Sequence, residues 1–263
     1  MKNWVLILIS WVALGQKVEQ TFPAAKKVEV DNVWGSIRVV GYGGSAVRMT
    51  ATRTNQGESP EDVRLEVTER EGTVRLYVDG PFRCHCRHGE EGWRDRSEVN
   101  YRVRYDFELQ VPAATTLTLR TVNEGEIVVE NTSGDYDIQN VNGRIEMNEV
   151  SGSGKVRGIN RPVKVVFRRN PAAESRFSTV NGGVELHFQP DLAADLRVKT
   201  LNGKILSDFP VTNLAPRPAT SERREGKFIY RSDRYTGIRV GRGGPEIQLD
   251  SINGTIQILE RSK

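Results

Sequence analysis

A chain of 263 residues with 37% hydrophobic, 27% charged and only 7% aromatic residues can bury a core, but one assembled mainly from aliphatic and β-branched side chains. The formal charge of +4 rests on 28 Arg and 10 Lys against 34 acids. No stacking or zinc-finger motif accompanies that charge, which argues against a nucleic-acid partner and leaves a solvated face or an anionic surface as its use.

The chain opens with Lys2 and the apolar run WVLILISWVAL, Trp4 to Leu14. The run is too short to span a bilayer, which needs about 20 apolar residues. Ala13 and Gly15 place small residues at the −3 and −1 positions of a cut before Gln16. Residues 1–16 therefore read as a secretory signal, with a buried strand or uncleaved anchor as the competing reading. No Cys follows the run to carry a lipid, so the mature chain is expected to be exported and soluble.

From Phe22 onward, period-2 alternation dominates. KVEVDNVWGSIRVV from Lys27, VRLEVTE from Val63, TVRLYV from Thr73 and VNYRVRYDFELQV from Val99 predict strands. Residues 22–112 are read as a β-rich N-terminal cap or first sheet. A degenerate corner lies at Val33-Trp34-Gly35, and a loop runs from Pro81 to about Ser97. That loop contains FRCHCRHGEEGWRD, with Cys84 and Cys86, the sole cysteines, beside His85 and His88. Thiolates with imidazoles suit zinc or copper, but zinc motifs space paired cysteines more widely and recruit a distant second pair. A local or intermolecular disulfide in an oxidising compartment is the first reading, and no metal or other cofactor is assigned.

Residues 113–263 carry a repeat. TVNEGEI, NVNGRIE, TVNGGVE, TLNGKIL and SINGTIQ place Asn at 123, 142, 181, 202 and 253, with Asn160 between them in GINRPVK. Gly143, Gly182, Gly203 and Gly254 follow their Asn, and Gly35 marks the first, degenerate corner. Spacings near 20 residues predict a parallel β-solenoid. The last interval is read as one repeat plus a mobile, strandless insertion near 210–237. Gly and Asn both tolerate left-handed backbone, and stacked Asn amides can form a ladder. Val141 and Ile145 are expected to point into the coil. A set of type I′ hairpins, which also prefer Asn-Gly, is the alternative.

The chain from about Val28 to Ile258 resembles a bacterial envelope family. The residues that carry the likeness are the VP strand at Val111-Pro112, ELQVPAATTLTLRTVNEGEIVV, GIRVGRGGPEIQLDSINGTIQIL and the recurring N-G-x-I units. This is the adhesin-like β-strand-repeat domain of unknown function, related to auto-transporter adhesin head domains. The resemblance implies a parallel β-solenoid in the periplasm or on the surface of a bacterium, and it implies no catalytic residues. Trp34, Arg161-Pro162 and the cysteine loop depart from the pattern.

The remaining candidates are weaker. Glu124, Glu126, Asp135, Asp137, Glu146 and Glu149 could serve a polysaccharide hydrolase or lyase, but surface ion pairs with Arg144, Lys155 and Arg157 explain them more simply. GYGG at Gly41 and GRGGP at Gly241 precede no helix and are read as turns. His187 is read as an outward strand residue. The expected role is a non-enzymatic envelope protein serving adhesion, scaffolding or signalling. Its candidate partners are an anionic polysaccharide, the envelope surface, another envelope protein or further copies stacked end to end.

Overall fold

Side chains alternate between inward and outward along nearly every strand, and the aliphatic positions face inward. The computed structural model describes residues 16–23, 25–56, 63–80, 102–231 and 234–261. Among them there is no helix, and so none long and apolar enough to cross a membrane. The expected signal segment and the loop holding Cys84, His85, Cys86 and His88 lie outside the described residues.

The first strands are β1 (Gln16–Pro23), β2 (Lys27–Asp31), β3 (Ile37–Tyr42), β4 (Ala46–Gln56), β5 (Arg64–Arg70), β6 (Thr73–Asp79) and β7 (Arg102–Pro112). Short strands follow: β8 (Thr116–Thr121), β9 (Ile127–Glu130), β10 (Tyr136–Asn140), β11 (Ile145–Val150), β12 (Gly154–Gly158), β13 (Val163–Phe167), β14 (Ser175–Thr179) and β15 (Val184–Phe188). The last are β16 (Ala194–Asn202), β17 (Ile205–Ser207), β18 (Val211–Asn213), β19 (Thr220–Arg224), β20 (Lys227–Arg231), β21 (Thr236–Val240), β22 (Glu246–Asn253) and β23 (Ile256–Glu260).

Two large sheets enclose the core. The front sheet runs β1-β4-β7-β3-β9-β11-β13-β15-β23-β17, and the back sheet runs β18-β21-β16-β22-β14-β12-β10-β8-β2-β6-β5. The expected all-β architecture is present, but where a parallel β-solenoid with an irregular N-terminal cap was expected, both sheets are mixed. Their middle strands pair in parallel, while β1-β4-β7 and the β5-β6, β16-β21 and β18-β21 pairs are antiparallel. The parallel run also reaches back across Pro112, since β2 pairs with β8 and β3 with β9. Only two antiparallel pairs, β5–β6 and β19–β20, are closed by a tight turn; the others join strands distant in sequence. Glu71-Gly72 and Glu225-Gly226 both have positive φ, as a two-residue type I′ hairpin requires. Asn-Gly, the usual I′ pair, makes no hairpin here.

Inward residues align in rows. Ile37, Ile127, Ile145, Val163, Val184 and Ile256 stand at one height across the front sheet. Val30, Leu119, Ile138, Val156, Phe177, Leu249 and Val198 do so across the back sheet. All of these are fully buried or nearly so, each contributing about 1.5–3 kcal/mol of transfer free energy. Phe177 meets Phe167 edge-on at 6.0 Å, and Phe167 stacks on Phe188 at 5.0 Å, so aromatics fill the space between the sheets near β13–β15.

The order of the final coils differs from their order in sequence. β22 lies between β14 and β16, and β23 lies between β15 and β17. The last repeat is therefore wedged inside the stack, and residues 194–207 form the coil beyond it. The segment between them is not strandless as expected. It contributes β18 to the back sheet, and β19 and β20 form a separate two-stranded sheet.

The corners explain the repeat. Asn142 Nδ2 donates to Asn123 Oδ1 at 2.8 Å, Asn160 to Asn142 at 2.7 Å and Asn181 to Asn160 at 3.1 Å. Asn253 then donates to Asn181, and Asn202 to Asn253, both at 2.8 Å. None of the Asn at 123, 142, 181, 202 and 253 has positive φ, and neither do Gly143, Gly182, Gly203 or Gly254. Left-handed backbone is thus not why these glycines are present. A Cβ on Gly143 would overlap the carbonyl oxygen of Gly125, one on Gly254 that of Gly182, and one on Gly203 that of Gly254. The glycines let successive coils close on one another. Gly35 is the exception, since its φ of 114° also needs glycine.

The residue two before each Asn is buried and polar in most coils, and it caps a corner carbonyl. Thr121 donates to Gly35 O, Asn140 to Gly125 O, Thr179 to Arg161 O, Ser251 to Gly182 O and Thr200 to Gly254 O, at 2.9–3.1 Å. That inward slot being taken, Val141 does not point into the coil as expected. It is half-buried on the outer side of the corner, in line with Val122, Ile159, Ile252 and Leu201, which are exposed. Ile145 is buried as expected. Asn142→Ala removes two ladder bonds and is expected to lower stability by about 1–2 kcal/mol, read from the urea midpoint. An unchanged midpoint would show that the ladder is decorative.

Candidate binding surface

Because inward positions are spent on the core, any site must be built from outward side chains, and the two broad faces carry different charge. On the front sheet the outward charged residues of β9, β11, β13 and β15 are Glu130, Glu146, Glu149, Lys164 and Glu185. Arg38 bonds Glu130 at 2.6 Å and Lys164 meets Glu185 at 2.9 Å. His187 lies 2.6 Å from Glu185, part-buried on the outer face. Burial works to raise the Glu185 pKa, but hydrogen bonds from His187 and Lys164 outweigh it and hold the carboxyl below its ordinary value. The face is acidic but largely neutralised in pairs.

The back sheet is the opposite. The outward charged residues of β8, β10, β12 and β14 are Arg120, Asp137, Lys155, Arg157 and Arg176, four cations with one acid. Register places Asp137, Lys155 and Arg176 side by side on consecutive strands, and Arg120, Gln139, Arg157 and Ser178 in the row beside them. Strands lie about 4.8 Å apart, so these four cations share a flat patch roughly 14 Å across. Arg176 reaches Asp250 only at 4.0 Å. Among the described residues the side chains of Arg120, Lys155 and Arg157 make no ion pair or hydrogen bond, and all three residues are exposed. Lys155 and Arg157 thus do not join the ion-pair ladder expected of them: Arg157 is flanked by Gln139 and Ser178, and Asp137 beside Lys155 accepts from Gln139, while the patch's other lateral carboxylate, Asp31, lies beside Arg120.

The structure scatters the six candidate acids. Arg144 bonds Glu126 at 2.7 Å, and Glu149 is met by Arg168 at 3.6 Å and by Arg261. Asp135 accepts the Ser153 N–H, and Asp137 accepts from the Gln139 amide. Glu146 accepts from Asn148, and Glu124 occupies a left-handed turn position with φ 51°. Asp137 projects from the back sheet and Glu146 from the front. The glycines of GRGGP join β21 to β22, with Gly241 and Gly243 at positive φ, and GYGG joins β3 to β4.

The comparisons with known proteins stop short of a family. No family model matches the chain, and no curated protein does. A proposed cell adhesion protein from Clostridium sporogenes aligns over 94% of this chain and 100% of its own, at 8% identity and a TM-score of 0.45. A proposed adhesin from Bacteroides fragilis covers 94% of this chain and 97% of its own, at 11% identity and a TM-score of 0.40. A proposed lipid binding protein from Parabacteroides distasonis covers 93% and 97%, at 11% identity and a TM-score of 0.30. Likeness this distant leaves the functional argument to the chain's own surface.

The segment after β18 supplies the other exposed feature. Arg217 reaches back to Glu246, and the Tyr235 hydroxyl donates to Asp250 at 2.9 Å, both on the outer side of β22. Arg239 grips Asp195 with two bonds of 2.7 Å, and this guanidinium holds the Asp195 carboxyl below the usual carboxylate range. From this clamped excursion the β19–β20 hairpin extends. Sequence reasoning assigned no strand to it and did not distinguish the back-sheet cations from the paired charges. The first was legible in ERREGKFIY, a Glu-Gly turn beside alternating residues; the second needed the strand register.

Proposed function

We propose that this chain is a non-enzymatic, exported protein of a bacterial cell envelope. In this reading the strand pairs from β8 onward wind a β-solenoid, residues 22–112 cap it, and the back sheet binds an anionic polysaccharide for adhesion or scaffolding. The observation that carries the reading is the unpartnered trio Arg120, Lys155 and Arg157 on a flat, rigid face beside Arg176. Isolated solvated arginines are ordinary, but Asp31 beside Arg120 and Asp137 beside Lys155 leave this group of cations in net excess, and a polyanion laid along the strands relieves their mutual repulsion. Export is supported by the Lys2 to Gly15 pattern, which suits a signal segment. The six acids, dispersed among separate bonds, favour no hydrolytic pair.

The test is retention on immobilised polygalacturonate against neutral dextran. The parent chain is expected to be retained on the polyanion and released by salt. Arg120→Ser/Lys155→Ser/Arg157→Ser is expected to weaken retention about tenfold, since exposed charge contacts contribute about 0.2–1 kcal/mol each. Equal retention of the variant, or retention on dextran, would sink the reading.

A further inference from the structure

We propose that the β19–β20 hairpin is a membrane-surface anchor, which seats its aromatic face in the headgroup zone of an anionic lipid bilayer. This inference concerns a different surface from the back-sheet patch and stands apart from it. Thr220–Arg231 pairs only with itself, in register Arg223↔Phe228 and Ser221↔Tyr230, around the Glu225-Gly226 turn. Its segment holds four basic and two acidic residues.

Phe228 is 61% exposed and Tyr230 76%, and their rings stack at 6.4 Å. The Arg223 guanidinium lies 5.5 Å from the Phe228 ring centre, on the same hairpin face. No core needs these rings, since the hairpin adds nothing to either large sheet. Leaving two adjacent aromatic rings in water is unfavourable, and a second phase that accepts them while meeting the cations removes that cost. An anionic bilayer does both: rings enter the boundary between headgroups and acyl chains, Arg223 on their face meets lipid phosphates, and Arg224 and Lys227, paired on the other face beside the turn, add to the attraction. A hydrated polysaccharide offers the charge but no apolar layer. The face also lacks the amides and carboxylates that would orient sugar hydroxyls, its other members being Ser221 and Arg223.

The experiment is flotation of the full chain with vesicles of phosphatidylcholine, with and without phosphatidylglycerol. Binding is expected only with phosphatidylglycerol present. Phe228→Ser/Tyr230→Ser is expected to reduce it about tenfold or more, by withdrawing two rings from the interface. An unchanged thermal midpoint and circular dichroism confirm the fold of the variant, whose substitutions lie outside the core. Arg120→Ser/Lys155→Ser/Arg157→Ser is expected to float like the parent, so failure of the polysaccharide reading leaves this one standing. No flotation of the parent, or equal flotation of the aromatic variant, would overturn the anchor.

Discussion

Gly143→Ala is expected to destabilise the protein by about 3 kcal/mol or more, although its backbone lies in no forbidden region for alanine. The usual expectation for a glycine at ordinary φ is the reverse, a gain of roughly 0.4–1 kcal/mol from a stiffer unfolded chain. The sign changes because the added methyl would occupy the position of the Gly125 carbonyl oxygen, and the Asn140 amide closes the other side at 2.7 Å. Neither neighbour is the far end of a flexible side chain free to yield. Gly43→Ala is the control. A Cβ there meets nothing within 4 Å, so it should be neutral or slightly stabilising. Urea midpoints of the two variants measure the contrast, and equal midpoints would show that coil spacing is not set at the corners.

Truncation after Gly243 is expected to have the second large effect. If the coils stacked in sequence order, removing the last would only uncover a new end. Here it empties the slot between β14–β15 and β16–β17. Ile247, Leu249, Ile256 and Ile258, all fully buried, are lost. At about 1.5–3 kcal/mol each, that approaches the whole stability of an ordinary domain. The truncated chain is expected to lose protease resistance across residues 194–240, read by limited proteolysis and mass spectrometry. One competing outcome has a definite physical form. Thr200-Leu201-Asn202-Gly203 matches Ser251-Ile252-Asn253-Gly254 position for position, so β16 could slide down to pair with β14. A truncated chain within about 1 kcal/mol of the parent would show that it had done so, and that the wedged coil is dispensable.

Much of this architecture was legible in the chain, for reasons that can be named. Alternation marked the strands because each has one wet and one dry face. The recurring Asn marked stacked corners because an amide is both donor and acceptor and can repeat a bond to its own kind indefinitely. What misled was the assumption that glycine means left-handed backbone, when Gly143 and Gly254 serve close approach instead. Val141 was misplaced for a related reason: the inward slot beside the corner belongs to Thr121, Asn140, Thr179 and Ser251, small polar groups that bond a carbonyl no strand can reach. The wedged position of β22 and β23 was not legible. Repeats alike enough to stack in either order contain no information on which order is used, and the clamp from Arg239 to Asp195 acts between residues 44 apart. The basic patch was equally hidden, because Lys155 and Arg157 look like any alternating pair until their lateral neighbours are known.

The corner seam has one more consequence, for how molecules of this design can change size. Most layers present an amide and a bare Cα upward and receive the same pair from below, and the Asn160-Arg161 layer keeps the amide alone, so such layers can follow one another. A lineage can lengthen or shorten such a body by whole layers, each carrying its own Asn and Gly, without reworking the surfaces above and below. A gain or loss of fewer residues has no such freedom on the seam, and must be absorbed in excursions like the one that carries the hairpin. Growth of this molecule is therefore quantised, and its irregular ornaments are where intermediate lengths accumulate.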